Sequence, residues 1–117
     1  MKVLIVDDNI LTRDMIKDIL QEMSHQVVGE AGNFDEAVKA FRELSPELVL
    51  LDLIMPGKTG LEVLEELRLI NPAAKVIMVT AVQQDEINKK LFEKGATAIL
   101  HKPFSYAELE AVLKQVS

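Results

Sequence analysis

Leu48-Val49-Leu50-Leu51-Asp52-Leu53-Ile54-Met55-Pro56 is the stretch on which the reading of this chain turns. Four apolar residues in succession, with Ser45-Pro46 before them and Pro56-Gly57 after, read as a strand buried on both faces, the kind found in parallel sheets. The strand ends on an acid. A carboxylate there either costs several kcal/mol unless it is compensated, or it faces the solvated crevice in which open α/β sheets bind their ligands. Lys2-Val3-Leu4-Ile5-Val6-Asp7-Asp8 repeats the shape with two acids at its end. If the two strands are neighbours, three carboxylates converge at one edge, and their repulsion raises at least one pKa unless a cation neutralises them. A hard divalent cation such as magnesium is the simplest candidate, since it accepts carboxylates and a backbone carbonyl and keeps water in its other positions.

Working outward, Met15, Ile16, Ile19, Leu20 and Met23 recur at helical spacing and predict a helix from Leu11 to about Met23. Gln26 to Ala31 is a weaker strand, and Gly29 within it suggests an edge position. Asn33 and Glu36 form a loose capping box for a second helix with the stripe Phe34, Ala37, Val38, Phe41 and Leu44. Thr59 and Glu62 make a full box for a third, in which Leu61, Leu64 and Leu67 share a face and which Asn71-Pro72 stops. Lys75 to Thr80 is a fourth strand. Asp85 to about Lys94 is a fourth helix with a thin stripe of Ile87, Leu91 and Phe92, closed by Gly95. A helix with so little to bury is a candidate for the mobile part of the domain. Thr97 to His101 is the fifth strand, and Ser105 with Glu108 caps a last helix striped by Leu109, Val112, Leu113 and Val116. Five strands alternating with five helices imply βαβ units and a parallel sheet covered on both sides. In that architecture Asp7, Asp8, Asp52, Thr80 and Lys102 all fall at the carboxyl ends of strands, where ligands bind.

The 117 residues are close to half apolar and fit one domain with one core. The formal charge of -6 and scattered basic residues lack the electrostatic footprint of a nucleic-acid binder. The absence of cysteine rules out disulfides and thiolate metal sites and is compatible with a reducing compartment. The opening apolar run is too short for a signal peptide, and no stretch approaches membrane-spanning length, so a cytoplasmic location without membrane contact is expected. His25 and His101 lack nearby ligand partners and read as surface or interface residues. Gly57-Lys58-Thr59 looks like the end of a phosphate-binding loop, but Asp52 stands where its first glycine belongs.

Val6-Asp7-Asp8, then Asp52-Leu53-Ile54-Met55-Pro56 with Gly60, then Thr80-Ala81 and Lys102-Pro103-Phe104 together resemble the receiver domain of response regulators across essentially the whole chain, residues 1–117. The resemblance implies a flavodoxin-like, doubly wound α/β sheet in the order 2-1-3-4-5. It further implies that Asp52 accepts a phosphoryl group from a sensor histidine kinase or phosphotransfer protein. Asp8 and Asp52 would bind Mg²⁺ directly, Asp7 would bind through water, and the backbone carbonyl of Ile54 would add a ligand. Lys102 and Thr80 would contact phosphoryl oxygens, and Lys102-Pro103 would be a cis peptide. Output would reach a downstream protein target, or a second copy in a phosphorylation-dependent dimer, through the face of the fourth helix, fifth strand and fifth helix. A chain that ends after the fifth helix leaves no room for a DNA-binding effector, and two readings stand side by side: a complete single-domain regulator of motility or a phosphorelay, and a fragment cut from a longer protein.

Three positions depart from the common pattern of that family. Ile99 stands three before the lysine, where many members carry an aromatic residue, so output is expected to rely on shifts of the backbone and the fourth helix. Ile54 and Val82 stand two after Asp52 and two after Thr80, and neither can hydrogen-bond water, so self-hydrolysis is expected to be slow. The competing function is a Mg²⁺-dependent phosphohydrolase with an aspartyl-phosphate intermediate, whose Asp-x-Asp differs from the Asp7-Asp8-Asn9 found here. A turnover enzyme is the less favoured reading of the two.

Overall fold

The computed structural model describes residues 1–117. Five strands, β1 (Lys2–Val6), β2 (Gln26–Ala31), β3 (Leu48–Asp52), β4 (Lys75–Thr80) and β5 (Ala98–His101), alternate with five helices. These are α1 (Ile10–Glu22), α2 (Phe34–Leu44), α3 (Gly60–Ile70), α4 (Asp85–Glu93) and α5 (Tyr106–Val116). All pairings are parallel, in the order β2-β1-β3-β4-β5. Each expected element is present, with ends displaced by a residue at most.

All five residues of β3 are buried, as an apolar run in the middle of a two-sided sheet requires. Their side chains alternate between two cores. Val49 and Leu51 join Phe41, Val63, Leu64, Leu67 and Leu91 on the side of α2, α3 and α4, whereas Leu48 and Leu50 join Ile16, Leu20, Leu109 and Leu113 on the side of α1 and α5. β2 is the edge strand anticipated from Gly29. The β1–β2 register skips Val28, and a side chain at Gly29 would meet Leu44 at 2.6 Å, so the glycine marks both a bulge and a close approach.

The caps form largely as read. Thr59/Glu62 and Ser105/Glu108 make complete reciprocal boxes. At α2 the Asn33 side chain accepts from the Glu36 amide, but the Glu36 carboxylate reaches past the cap to the amide of Gly32. Gln84 gives α4 no side-chain cap. The stripe of α4 is thinner than expected: Leu91 is buried and Ile87 half-buried, while Phe92 is 51 % exposed. Ile87 and Leu91 lie one turn apart on one face, and Phe92, one residue further on, is rotated about 100° away from it. The far end of α4 is better held. Gly95 follows it at φ +105, a value that favours glycine, and its carbonyl accepts from the Arg68 guanidinium, which also donates to Pro72 and Ala74 carbonyls.

Candidate functional site

β1, β3, β4 and β5 all run in one direction, so their carboxyl ends share a rim, and the acids, the hydroxyl and the lysine noted in the sequence gather there. Asp7 follows β1 and is 2 % exposed; its amide donates to the Ala31 carbonyl at 3.0 Å, and one of its oxygens accepts from the Asn9 amide at 2.8 Å. The Arg13 guanidinium donates to the Asp7 carbonyl while its Nε pairs with Glu30 at 3.2 Å, so α1 and β2 together fix this turn. Asp8 is exposed. Asp52, the last residue of β3, is 7 % exposed.

Lys102 ties the cluster together. Its backbone amide donates to the Thr80 carbonyl at 2.8 Å, which carries it from β5 toward β4. Its ammonium lies 3.1 Å from Asp7 Oδ2 and 3.6 Å from Asp52 Oδ1. The Lys102-Pro103 peptide is cis, as expected. Thr80 is fully buried at the end of β4, and its hydroxyl accepts from the Val82 amide at 3.0 Å.

The expected rise of one carboxyl pKa falls on Asp52, which is pushed up to about 6. The first cause, however, is burial. Lys102 and a long 3.4 Å bond from the Ile54 amide oppose the rise, and repulsion from Asp7 and Asp8 adds to it. Repulsion among the acids, which the sequence pointed to, therefore contributes less than the loss of water around this carboxylate.

One carboxylate oxygen from each of Asp7, Asp8 and Asp52 can be chosen so that all lie within 4.8 Å of one another. Three carboxylates face one ammonium, which leaves two negative charges for a divalent ion. The donors are all oxygen, which selects a hard cation. Opposite ligands on an octahedral ion with bonds of about 2.1 Å are about 4.2 Å apart, so the cluster fits such an ion with one carboxylate reached through water. The Ile54 side chain is 62 % exposed beside this cluster.

Gly60 stands out in the sequence, but the reason for it is visible only in three dimensions. α3 begins directly on the end of β3: the Gly60 amide donates to the Leu53 carbonyl at 2.8 Å, and a Cβ would come within 2.1 Å of the Asp52 carbonyl oxygen. Arg13 reaches the turn of Asp7 from α1, and nothing in its local spacing signals that contact. The histidines stay outside the acid cluster. His25 sits against the terminal amine, Nδ1 to N 3.0 Å, and burial followed by that positive charge lowers its pKa. His101 is half-buried, and its Nε2 lies inside the protein.

No helix is long and apolar enough to cross a membrane. Residues 3–114 match the response regulator receiver domain family. The chain is 37 % identical to the chemotaxis protein CheY of Thermotoga maritima over 99 % of its own length and 97 % of that protein. It is 43 % identical to CheY of Listeria monocytogenes over 89 % and 87 %. Among solved structures, the crystal structure of the CheX-CheY-BeF3-Mg+2 complex from Borrelia burgdorferi aligns with a TM-score of 0.91 at 29 % identity, covering 99 % of this chain and 86 % of that one. The match runs over nearly all the chain, in sequence and in fold: the chain belongs to the response regulator receiver domain family and is a signalling domain of two-component systems.

Proposed function

We propose that Asp52 is the phosphoacceptor and that residues 1–117 form one receiver domain switched by phosphorylation. The observation that carries this reading is the Lys102 ammonium bridging Asp7 and Asp52 at a rim where three acids meet. An Asp52 oxygen attacks the phosphorus of a phosphohistidine on a sensor kinase or phosphotransfer protein. The P–O bond forms as the P–N bond breaks, the P–N electron pair stays on the released nitrogen, and the imidazole departs neutral because its other ring nitrogen already carries a proton. Magnesium held by Asp7, Asp8, Asp52 and the Ile54 carbonyl would neutralise charge on the transferring group. Asp8 is the open side of the cluster and leaves access for both ion and donor. The Borrelia relative, crystallised with BeF3 and Mg+2, supports the choice of ion.

The chain's own groups then stabilise the product. Lys102 reaches a phosphoryl oxygen as a point charge once Asp52 no longer carries its own. Thr80 gives up its bond from Val82 and donates its hydroxyl to another oxygen. Phosphorylation adds roughly one further negative charge and new acceptors at the rim, and the response runs through Thr80 and Lys102 to α4, β5 and α5. A downstream protein, or a second copy, reads that face; nucleic acid does not. The chain is a cytoplasmic acceptor that loses its own phosphate, and it does not turn over a substrate. The test is intact-mass analysis after incubation with acetyl phosphate and Mg²⁺. One added phosphoryl group is expected on the wild type and none on Asp52→Asn; equal labelling of both refutes the assignment of Asp52.

A further inference from the structure

Two side-chain atoms of this protein are buried without a hydrogen-bond partner, Asn88 Oδ1 and His101 Nε2. Buried polar atoms nearly always have partners, so each marks a group that gains from meeting one. Strand alternation and helix spacing place both on the sides of β5 and α4 that face the core around Leu91. His101 lies two residues after Ile99 on β5 and shares its face, and Ile99 packs on the core that includes Leu91 of α4. Asn88 precedes Leu91 by three residues and lies on the same side of the helix. Their chemistry is complementary: an amide oxygen only accepts, and a neutral imidazole protonated at Nε2 donates.

Resting on the reading of Asp52 as phosphoacceptor, we propose that His101 and Asn88 are the positioning residues that carry the signal to α4. They form a hydrogen bond from His101 Nε2 to Asn88 Oδ1 in the phosphorylated state. Thr80 is the cross-strand partner of His101, so the residue that turns toward the phosphoryl group sits beside the donor. In the unphosphorylated protein the Thr80 hydroxyl holds the Val82 amide, at the start of the connection to α4. When the hydroxyl turns away that hold is released, and the first turn of α4, which lacks a side-chain cap, is free to settle against β5. Asn88 lies in that turn. Arg68 meanwhile keeps the Gly95 end in place, so the movement is concentrated where Asn88 is. Ile99 offers no polar group for the task, whereas His101, two positions on, does.

The test uses the full chain loaded with beryllofluoride and Mg²⁺ and followed by NMR of the His101 ring and the Asn88 side-chain amide. On loading, the His101 Nε2 proton is expected to become protected from solvent exchange. Asn88→Ala removes that protection and weakens beryllofluoride binding about tenfold, and His101→Ala weakens it by a similar factor. The double variant loses no more than either single one, as for two ends of one bond. Asn88→Asp, which keeps an acceptor, restores the protection, and a purely structural role would not produce that rescue. The proposal is overturned if the wild type loads and α4 amides shift while the His101 ring is unchanged, or if the two single losses multiply. A wild-type chain that takes up no beryllofluoride overturns the phosphoacceptor reading and this bond together.

Discussion

At Asp52 the needs of folding and of signalling oppose each other. Burial pushes its carboxyl from 3.8 to about 6, so the folded chain keeps a proton across a pH window in which the unfolded chain has released it. Where the native state binds more protons, stability falls as pH rises. The Asp52 contribution is therefore fully present below about pH 4 and lost as pH climbs through 6. A shift of about two units corresponds to at most roughly 3 kcal/mol; water at the open rim screens part of it, and removing the charge recovers the remainder. Asp52→Asn is expected to be more stable than the wild type by on the order of 2 kcal/mol at pH 7.5, with the difference closing toward pH 4. Urea midpoints in chelator-containing buffer measure this, and a difference independent of pH contradicts it. Ile54 and Val82 carry a second prediction. The Ile54 side chain is exposed beside Asp52 and Val82 is half-buried, and neither can orient water. Ile54→Asn with Val82→Glu is expected to speed loss of phosphate on the order of tenfold, read as decay of the phosphorylated mass after acetyl phosphate is removed. An unchanged decay rate removes these residues from control of the lifetime.

Among the elements, those legible in the sequence are the ones specified by local signals. The Thr59/Glu62 and Ser105/Glu108 boxes need only four residues each, and both α3 and α5 begin where the boxes place them. Helix faces are less legible at their margins. Spacing puts Phe92 and Met15 in buried stripes, yet both are exposed, because position on a face is settled by what covers it and not by spacing alone. The contacts with no local signal at all are long-range. Arg68 grips the Gly95 carbonyl 27 residues away, and nothing near Arg68 in the chain announces it. The junction of β3 and α3 is legible as a glycine but not as a constraint. Gly60 lies so close to the Asp52 carbonyl that any side chain forces β3 and α3 apart. Gly60→Ala is expected to cost about 3 kcal/mol, as overpacking of a tight core does, and to slow phosphorylation by displacing Asp52. If this variant unfolds at the wild-type urea concentration, the junction is more compliant than its geometry implies. At α4 the asymmetry between an uncapped start and a clamped end sets an order of local opening. Amides of Asn88 and Lys89 are expected to exchange with solvent at least tenfold faster than those of Lys94 and Ala96.

For the molecule as a whole, the alternation of strands and helices is enough to foresee a parallel sheet, but strand order is not in the local pattern and follows from the family resemblance. Pairing β3 with β1 and β4, and leaving β2 at an edge, depends on contacts between distant segments. The consequence of that order is electrostatic: a chain of charge -6 places three acids on one rim with only Lys102 between two of them. A divalent ion bound there acts on the native state alone, since the unfolded chain disperses the three acids. Binding then stabilises the fold by about 2.7 kcal/mol at a concentration 100 times its dissociation constant. For a domain of this size that corresponds to a rise in thermal midpoint on the order of 10 °C. Mg²⁺ is therefore expected to raise the midpoint saturably, and NaCl at equal ionic strength to raise it much less, because screening acts on all surface charges and not on this cluster. Asp8→Asn separates site binding from screening most cleanly, since Asp8 is exposed and its loss leaves the pair of Asp7 with Lys102 intact. In that variant the Mg²⁺ response is expected to shrink to that of NaCl; a full response would mean that the ion binds elsewhere and that the rim does not bind it.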